Sequence, residues 1–209
     1  MAASRARRSN TAARTASRKT ARPQPKPAKK RSVGTRSTAD DYAKIIKMLK
    51  DDHEKVGKLF KKFEKLKKTE DDSRYELVEE ACKALEVHAA IEEQHFYPAA
   101  YSAVSEGDKE DDMLDEAEVE HTHIKEIVAE LKAKAEDDPL CDAKFKVLGE
   151  YVTHHVKEEE EELFPKLKKF KEVFEGVYEQ MVELRTQMEA GGTAILTTSD
   201  NRAGARELQ

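Results

Sequence analysis

Two segments of this chain place a histidine and a glutamate one helical turn apart, on faces that the flanking sequence marks as buried: His88-Ala89-Ala90-Ile91-Glu92 and His155-Val156-Lys157-Glu158-Glu159. Apolar residues at spacings of three and four draw the stripe of an amphipathic helix. One such stripe runs through Val78, Ala81 and Leu85 into His88 and Glu92, and another through Phe145, Leu148 and Val152 into His155, Glu159 and Leu163. A third joins Ile46, Leu49, His53, Val56, Phe60 and Phe63, and a fourth joins Leu114, Ala117, His121, Ile124, Val128 and Leu131. Four helices thus each carry an imidazole on the seam that faces the core. A buried carboxylate without a partner costs several kcal/mol. Two of them among four imidazoles are tolerable in a small core only if each polar group becomes a ligand. A pair of divalent or trivalent cations on His53, His88, Glu92, His121, His155 and Glu159 meets that need. Lone buried histidines are ordinary core residues; four of them on four helices, with two His-x-x-x-Glu pairs, are not.

The pattern repeats. Proline follows ten residues after His88 and ten after His155, within Phe96-Tyr97-Pro98 and Leu163-Phe164-Pro165. Upstream, Asp52-His53 with Val56 parallels Glu120-His121 with Ile124. The chain reads as two helical hairpins related by internal pseudo-symmetry.

The spacing predicts helices from about 40 to 68, from Ser73 with Glu76 completing a capping box, from about 112 to 135, and from Asp138-Pro139 to Pro165. Pro98 is expected to kink or interrupt the second, and Ser105-Glu106-Gly107-Asp108 to form a turn. A fifth segment keeps a heptad-like seam through Leu163, Leu167, Phe170, Phe174, Val177, Met181, Leu184 and Met188, ended by Gly191-Gly192. Packing back on the bundle is the favoured use of that stripe; a homodimer interface is the alternative. The expected fold is all-α: an up-down-up-down four-helix bundle over 39–168, a C-terminal helix over 169–190 and a flexible tail over 191–209.

Charge divides the chain. Residues 1–38 hold 12 of its 38 Lys and Arg and none of its 43 Asp and Glu. With Met1 and Val33 as its only large apolar residues, this segment is read as a disordered basic tail. A solvated tail, or contact with a polyanion such as nucleic acid, is favoured over a targeting presequence. No apolar run approaches the ~20 residues of a membrane span, and no secretory leader is apparent. Cys82 and Cys141 lie in no metal or redox spacing and read as reduced thiols, which points to a cytoplasmic protein.

The H…HxxxE…H…HxxxE order with both Pro closures resembles the hemerythrin family, in its HHE cation-binding branch, over roughly Ala39 to Lys168. The resemblance implies a non-haem di-iron centre on the six residues above, with Glu92 and Glu159 bridging. It also implies O2, or a related diatomic or peroxide, as the small ligand. Oxygen-carrying members have a second histidine one turn after the third-helix ligand; here that position is Lys125, with Glu118 or water left to fill the vacancy. That departure favours sensing, storage or iron handling over reversible oxygen carriage, with a di-iron oxidase or peroxide-decomposing enzyme as the alternative and a non-redox zinc bundle third. Mixed imidazole and carboxylate donors suit Fe, Mn or Zn, and carboxylate-bridged pairs in bundles place iron first. The remaining histidines read as follows: His123 and His154 are exposed, and His95, three residues after Glu92, is near enough to stand beside the site but is not counted in it. Glu93 and Glu160 are exposed or hydrogen-bonded to ligand imidazoles. The acidic run 158–162 is a solvated face with one ligand in it, or a path for iron. Phe96, Tyr97, Leu163, Phe164, Tyr42 and Tyr151 are assigned to core packing.

Overall fold

A computed structural model describes residues 38–69, 71–134 and 138–191. The basic tail and the flexible C-terminal segment expected from the sequence lie outside them, as does Gly192. The described residues belong to one compact unit and are helical, without strands. Helix α1 is Thr38–Lys67, α2 Arg74–Ile91, α3 Tyr97–Tyr101, α4 Lys109–Lys134, α5 Cys141–Glu158, α6 Phe164–Leu167 and α7 Val177–Glu189. A π-helical turn, Glu92–Phe96, joins α2 to α3, and a second, Glu159–Leu163, joins α5 to α6. The bundle therefore has four rods: α1, α2–α3, α4 and α5–α6. Each packs on its neighbours in chain order, and α1 closes the ring on α5. Short connections make successive rods antiparallel.

The two π turns are the local response to proline. Pro98 and Pro165 offer no N–H and crowd the carbonyl one turn back. Each rod is interrupted there by a widened turn. Tyr97 N–H donates to the Glu92 carbonyl and Phe164 N–H to the Glu159 carbonyl, five residues back in each case. Such a turn takes in an extra residue and is common at functional sites. Its effect is visible in burial: Glu92, Phe96 and Tyr97 all face inward, as do Glu159, Leu163 and Phe164.

Two apolar cores lie on either side of a polar layer. One is aromatic and contains Ile45, Leu49, Phe96, Tyr97, Phe164 and Phe174. The other contains Val56, Phe63, Leu85, Val128, Phe145 and Leu148, together with both buried, unpaired cysteines. Between them, His53, His88, Glu92, His121, His155 and Glu159 are all buried. Deleting a large side chain such as Phe96 from a core costs about 3–5 kcal/mol.

Four expectations need correction. Ser73 precedes α2 but makes no side-chain cap; its backbone N–H instead donates to Asp71 Oδ1 at 2.9 Å. On α1, Ile45 and Leu59 face inward and Ile46 and Phe60 are half-buried, because the helix is covered from both α2 and α5. Tyr151 is exposed and stacks on His123, so it closes no core. The fifth helix is not continuous. After α6 the chain tightens to a 3-10 segment, Lys168–Phe174, and turns at Glu175-Gly176 before α7. Gly176 has φ +77°, a conformation that glycine reaches without strain. Its N–H donates to the buried carboxylate of Asp41 at 3.1 Å. Behind this turn, Phe174, Val177 and Met181 join the aromatic core, so this part of the stripe packs back on the bundle, as favoured. No described helix is long and apolar enough to cross a membrane.

Candidate metal centre

The six residues singled out from their stripes meet in one layer. Donor atoms of His53, His88, Glu92 and Glu159 lie within 4.8 Å of one another, and so do those of Glu92, His121 and His155. Glu92 belongs to both groups. Glu159 reaches across as well: its Oε2 is 3.3 Å from His53 Nε2 and 3.5 Å from His155 Nε2. Glu92 Oε2 is 3.1 Å from His88 Nε2 and 3.4 Å from His121 Nε2. Both carboxylates therefore span the two groups.

Every one of the four imidazoles turns its other nitrogen to a carboxylate. His53 Nδ1 is 2.8 Å from Glu160 Oε1, His121 Nδ1 3.0 Å from Glu93 Oε1, His155 Nδ1 2.8 Å from Glu120 Oε2, and His88 Nδ1 3.5 Å from Asp52 Oδ2. A carboxylate accepts only, so each Nδ1 carries the hydrogen and each Nε2 of a neutral ring presents a lone pair inward. The pattern obeys the pseudo-symmetry. The acid before the first histidine of each hairpin holds that hairpin's second histidine; the acids after Glu92 and Glu159 each hold the first histidine of the other hairpin.

The consequence is a layer of donors facing donors. Nε2 of His53 and His88 are 3.2 Å apart, and those of His121 and His155 3.0 Å apart. Glu92 Oε1 and Oε2 and Glu159 Oε2 are buried with no hydrogen-bond partner. Facing lone pairs and orphaned carboxylate oxygens are costly, and a cation in each group removes both costs. Without a cation, protons take its place. Burial opposes charge on His88, but Glu92 and Asp52 outweigh it and push the pKa up to about 10. His155 is likewise raised, against burial, by Glu159 and Glu120. Burial would raise Glu159, but His155 and His53 hold it down to about 2. The donor set fits two cations of the imidazole–carboxylate class.

The halves differ at their apolar closures. Tyr97, assigned to packing from sequence, is buried in the aromatic core but donates its hydroxyl hydrogen to Glu159 Oε1 at 2.9 Å, and its oxygen lies 3.3 Å from His121 Nε2. Burial and the adjacent Glu159 raise its pKa well above the usual phenol value. The equivalent residue is Phe164, whose ring stacks parallel to His53 at 6.2 Å and brings no polar atom. The Tyr/Phe difference between the two closures was the one sequence signal that could have revealed this role. Asp52 and Glu120 were also missed as orienting acids; both adjoin a site histidine. Glu93 and Glu160 do what one of their two readings allowed.

Lys125, in place of a fifth histidine, points away from the layer and binds both oxygens of Glu93 at 2.8 Å. Glu118 is half-buried and belongs to neither donor group. His123 and His154 are exposed, and His95 is half-buried against Gln180 of α7. A cavity of about 80 Å³ lined by Glu116, Glu120, Glu158 and Glu162 reaches His155 and Glu159 from the surface.

Residues 44–167 match the family described as the Hemerythrin HHE cation binding domain. No match was found among curated proteins or among solved structures.

Proposed function

We propose, from the premise that this chain belongs to the hemerythrin family of HHE cation-binding domains, that it holds two iron ions and binds O2 or a related small ligand for sensing, storage or iron handling. His53 and His88 would hold one iron and His121 and His155 the other, with Glu92 and Glu159 shared between them. The metal-binding bundle is 39–168. The observation that carries the reading is the layer of four inward Nε2 lone pairs, each fixed by a carboxylate on Nδ1, around buried carboxylate oxygens that nothing else satisfies. An iron pair supplies redox electrons and an open position for a small ligand.

The chain's residues supply the rest. The Tyr97 hydroxyl lies beside His121 and the acidic cavity reaches His155, so the small ligand belongs on that side of the layer. Aromatic packing from Phe96 and Phe164 excludes water from one side of the layer. The Tyr97 hydroxyl holds a proton on Glu159 Oε1, within reach of anything bound there.

That proton favours a second reading, a di-iron oxidase or peroxide-decomposing enzyme. Metal analysis with optical spectra of oxidised and reduced protein tests the first: close to two irons per chain, with a redox-dependent spectrum. Folded protein that takes up only zinc would sink both iron readings. Oxygen evolution on adding peroxide, above that of free iron, separates the enzyme from the binding protein.

A further inference from the structure

Each acid that orients an imidazole is itself met by a basic side chain. Glu93 is held by Lys125 at 2.8 Å, Glu160 by Lys50 at 3.1 Å, and Glu120 lies 3.6 Å from His154. Those three side chains stand on bundle helices. The fourth does not. Asp52 is gripped by both terminal nitrogens of Arg185, Nη1 to Oδ1 at 2.9 Å and Nη2 to Oδ2, and Arg185 lies on α7. The guanidinium is partly buried, and its Nε has no partner.

We propose that Arg185 is a positioning residue of the metal centre, and that through Asp52 and His88 it links docking of the C-terminal helix to occupancy of the first metal group. This rests on the two-metal reading above. A planar guanidinium binding two carboxylate oxygens fixes the plane of the carboxylate as well as its place. Asp52 has one oxygen directed at His88 Nδ1 at 3.5 Å, the longest of the four orienting contacts. Its alignment therefore depends on the residue that holds it from behind. When α7 is docked, the His88 lone pair is aimed inward; when α7 lifts, Asp52 turns to solvent and His88 loses its partner. Linkage makes the effect reciprocal: if docking favours metal, metal favours docking.

The attachment of α7 suits this role. It is tied at its start, where Gly176 N–H meets Asp41, and at its middle, where Arg185 meets Asp52; both acids stand on α1. Its flank meets His95 through Gln180, on the π turn that carries Glu92. Val177 and Met181 are buried in the aromatic core and Leu184 packs against it, whereas from Arg185 onward the helix is half-buried or exposed. Its last turn, with little apolar contact beneath it, is the part that opens at low cost.

The test uses the full chain, metal-free and loaded anaerobically with ferrous iron. Backbone hydrogen exchange over 177–189 is compared in the two states, and iron affinity is measured by chelator competition. We expect 177–189 to exchange about tenfold more slowly when loaded, of the order that partners of ligand residues contribute. Arg185→Leu should abolish that difference and weaken one of the two irons about tenfold, leaving the other unchanged; Arg185→Lys should restore part of the loss. In an Asp52→Asn background, Arg185→Leu should cost nothing further. Two irons bound, with equal exchange over 177–189 in both states, would overturn the proposal while leaving the site reading intact. So would an Arg185→Leu effect that is equal on both irons or undiminished by Asp52→Asn. Folded wild-type protein that binds no metal would overturn both.

Discussion

The two hairpins build halves of one centre from the same pattern, yet the halves are not equivalent. In the second, the closure presents a hydroxyl: Tyr97 donates to Glu159 beside His121. In the first, the equivalent Phe164 offers only a ring face to His53. The orienting acid of the second hairpin, Glu120, holds His155 at 2.8 Å within the bundle, whereas Asp52 stands off His88 at 3.5 Å and is braced by α7. The difference teaches that repeated sequence sets the ligands, while single departures from the repeat set what each metal can do. One half faces an acidic cavity and a proton donor; the other faces an appended helix.

Removing the shared element should have the largest effect. Glu92 serves both groups, so Glu92→Ala should lose both irons. His88→Ala and His155→Ala should each lose chiefly one, as read by metal analysis per folded chain. If either histidine variant loses both, or keeps two irons, the division into halves is wrong.

Next comes the pH response, which should reverse sign with loading. Folded His88 has its pKa raised from 6.5 to about 10, so in metal-free protein its contribution to stability is complete below 6.5 and lost as pH rises through about 10. Folded Glu159 is lowered from 4.5 to about 2, so its contribution is complete above 4.5 and lost as pH falls through about 2. Metal-free protein should therefore be most stable between pH 4.5 and 6.5. Loaded protein, whose ligands must be deprotonated, should gain stability as pH rises through that window. Thermal melts across pH with and without iron check this; parallel profiles would contradict it.

A smaller effect should follow from exchanging the closures. Tyr97→Phe makes the halves alike; it should leave two irons bound and alter small-ligand affinity or peroxide turnover about tenfold or more. Phe164→Tyr should do less, because the Phe164 ring lies face-on to His53 and neither residue lines the acidic cavity. Equal effects of the two swaps would remove the asymmetry.

The smallest effect expected is at Lys125. Lys125→Met frees Glu93 and should weaken the His121 half a few-fold, within the range seen when partners of ligands are removed, while Glu118→Gln should leave metal content unchanged. A large Glu118 effect would restore it as a donor.

The rods and the six inward residues were legible because burial imposes a period, and His53, His88, His121 and His155 fall on it. The π turns were not, since a proline can be absorbed by a kink or a widened turn and local sequence does not choose between them. The Tyr97 hydroxyl contact was hidden for the same reason: Tyr97 is in the core as read, but on a regular helix it would turn away from Glu92, and the widened turn brings its hydroxyl to Glu159. The break at Gly176 was hidden because the heptad-like spacing continues straight across it, from Phe174 through Val177 to Met181. Arg185 and Asp52 are far apart in sequence, and no periodicity announces a pair of that kind.

The central claim is that one buried layer holds two cations that are unequal. Anaerobic titration of metal-free protein with ferrous iron, followed by chelator competition, tests it most directly. Two equivalents per chain, bound with distinguishable affinities, with one lost in His88→Ala and the other in His155→Ala, is the result expected. A folded chain that binds one equivalent or none, or two that respond identically to the two substitutions, would contradict it.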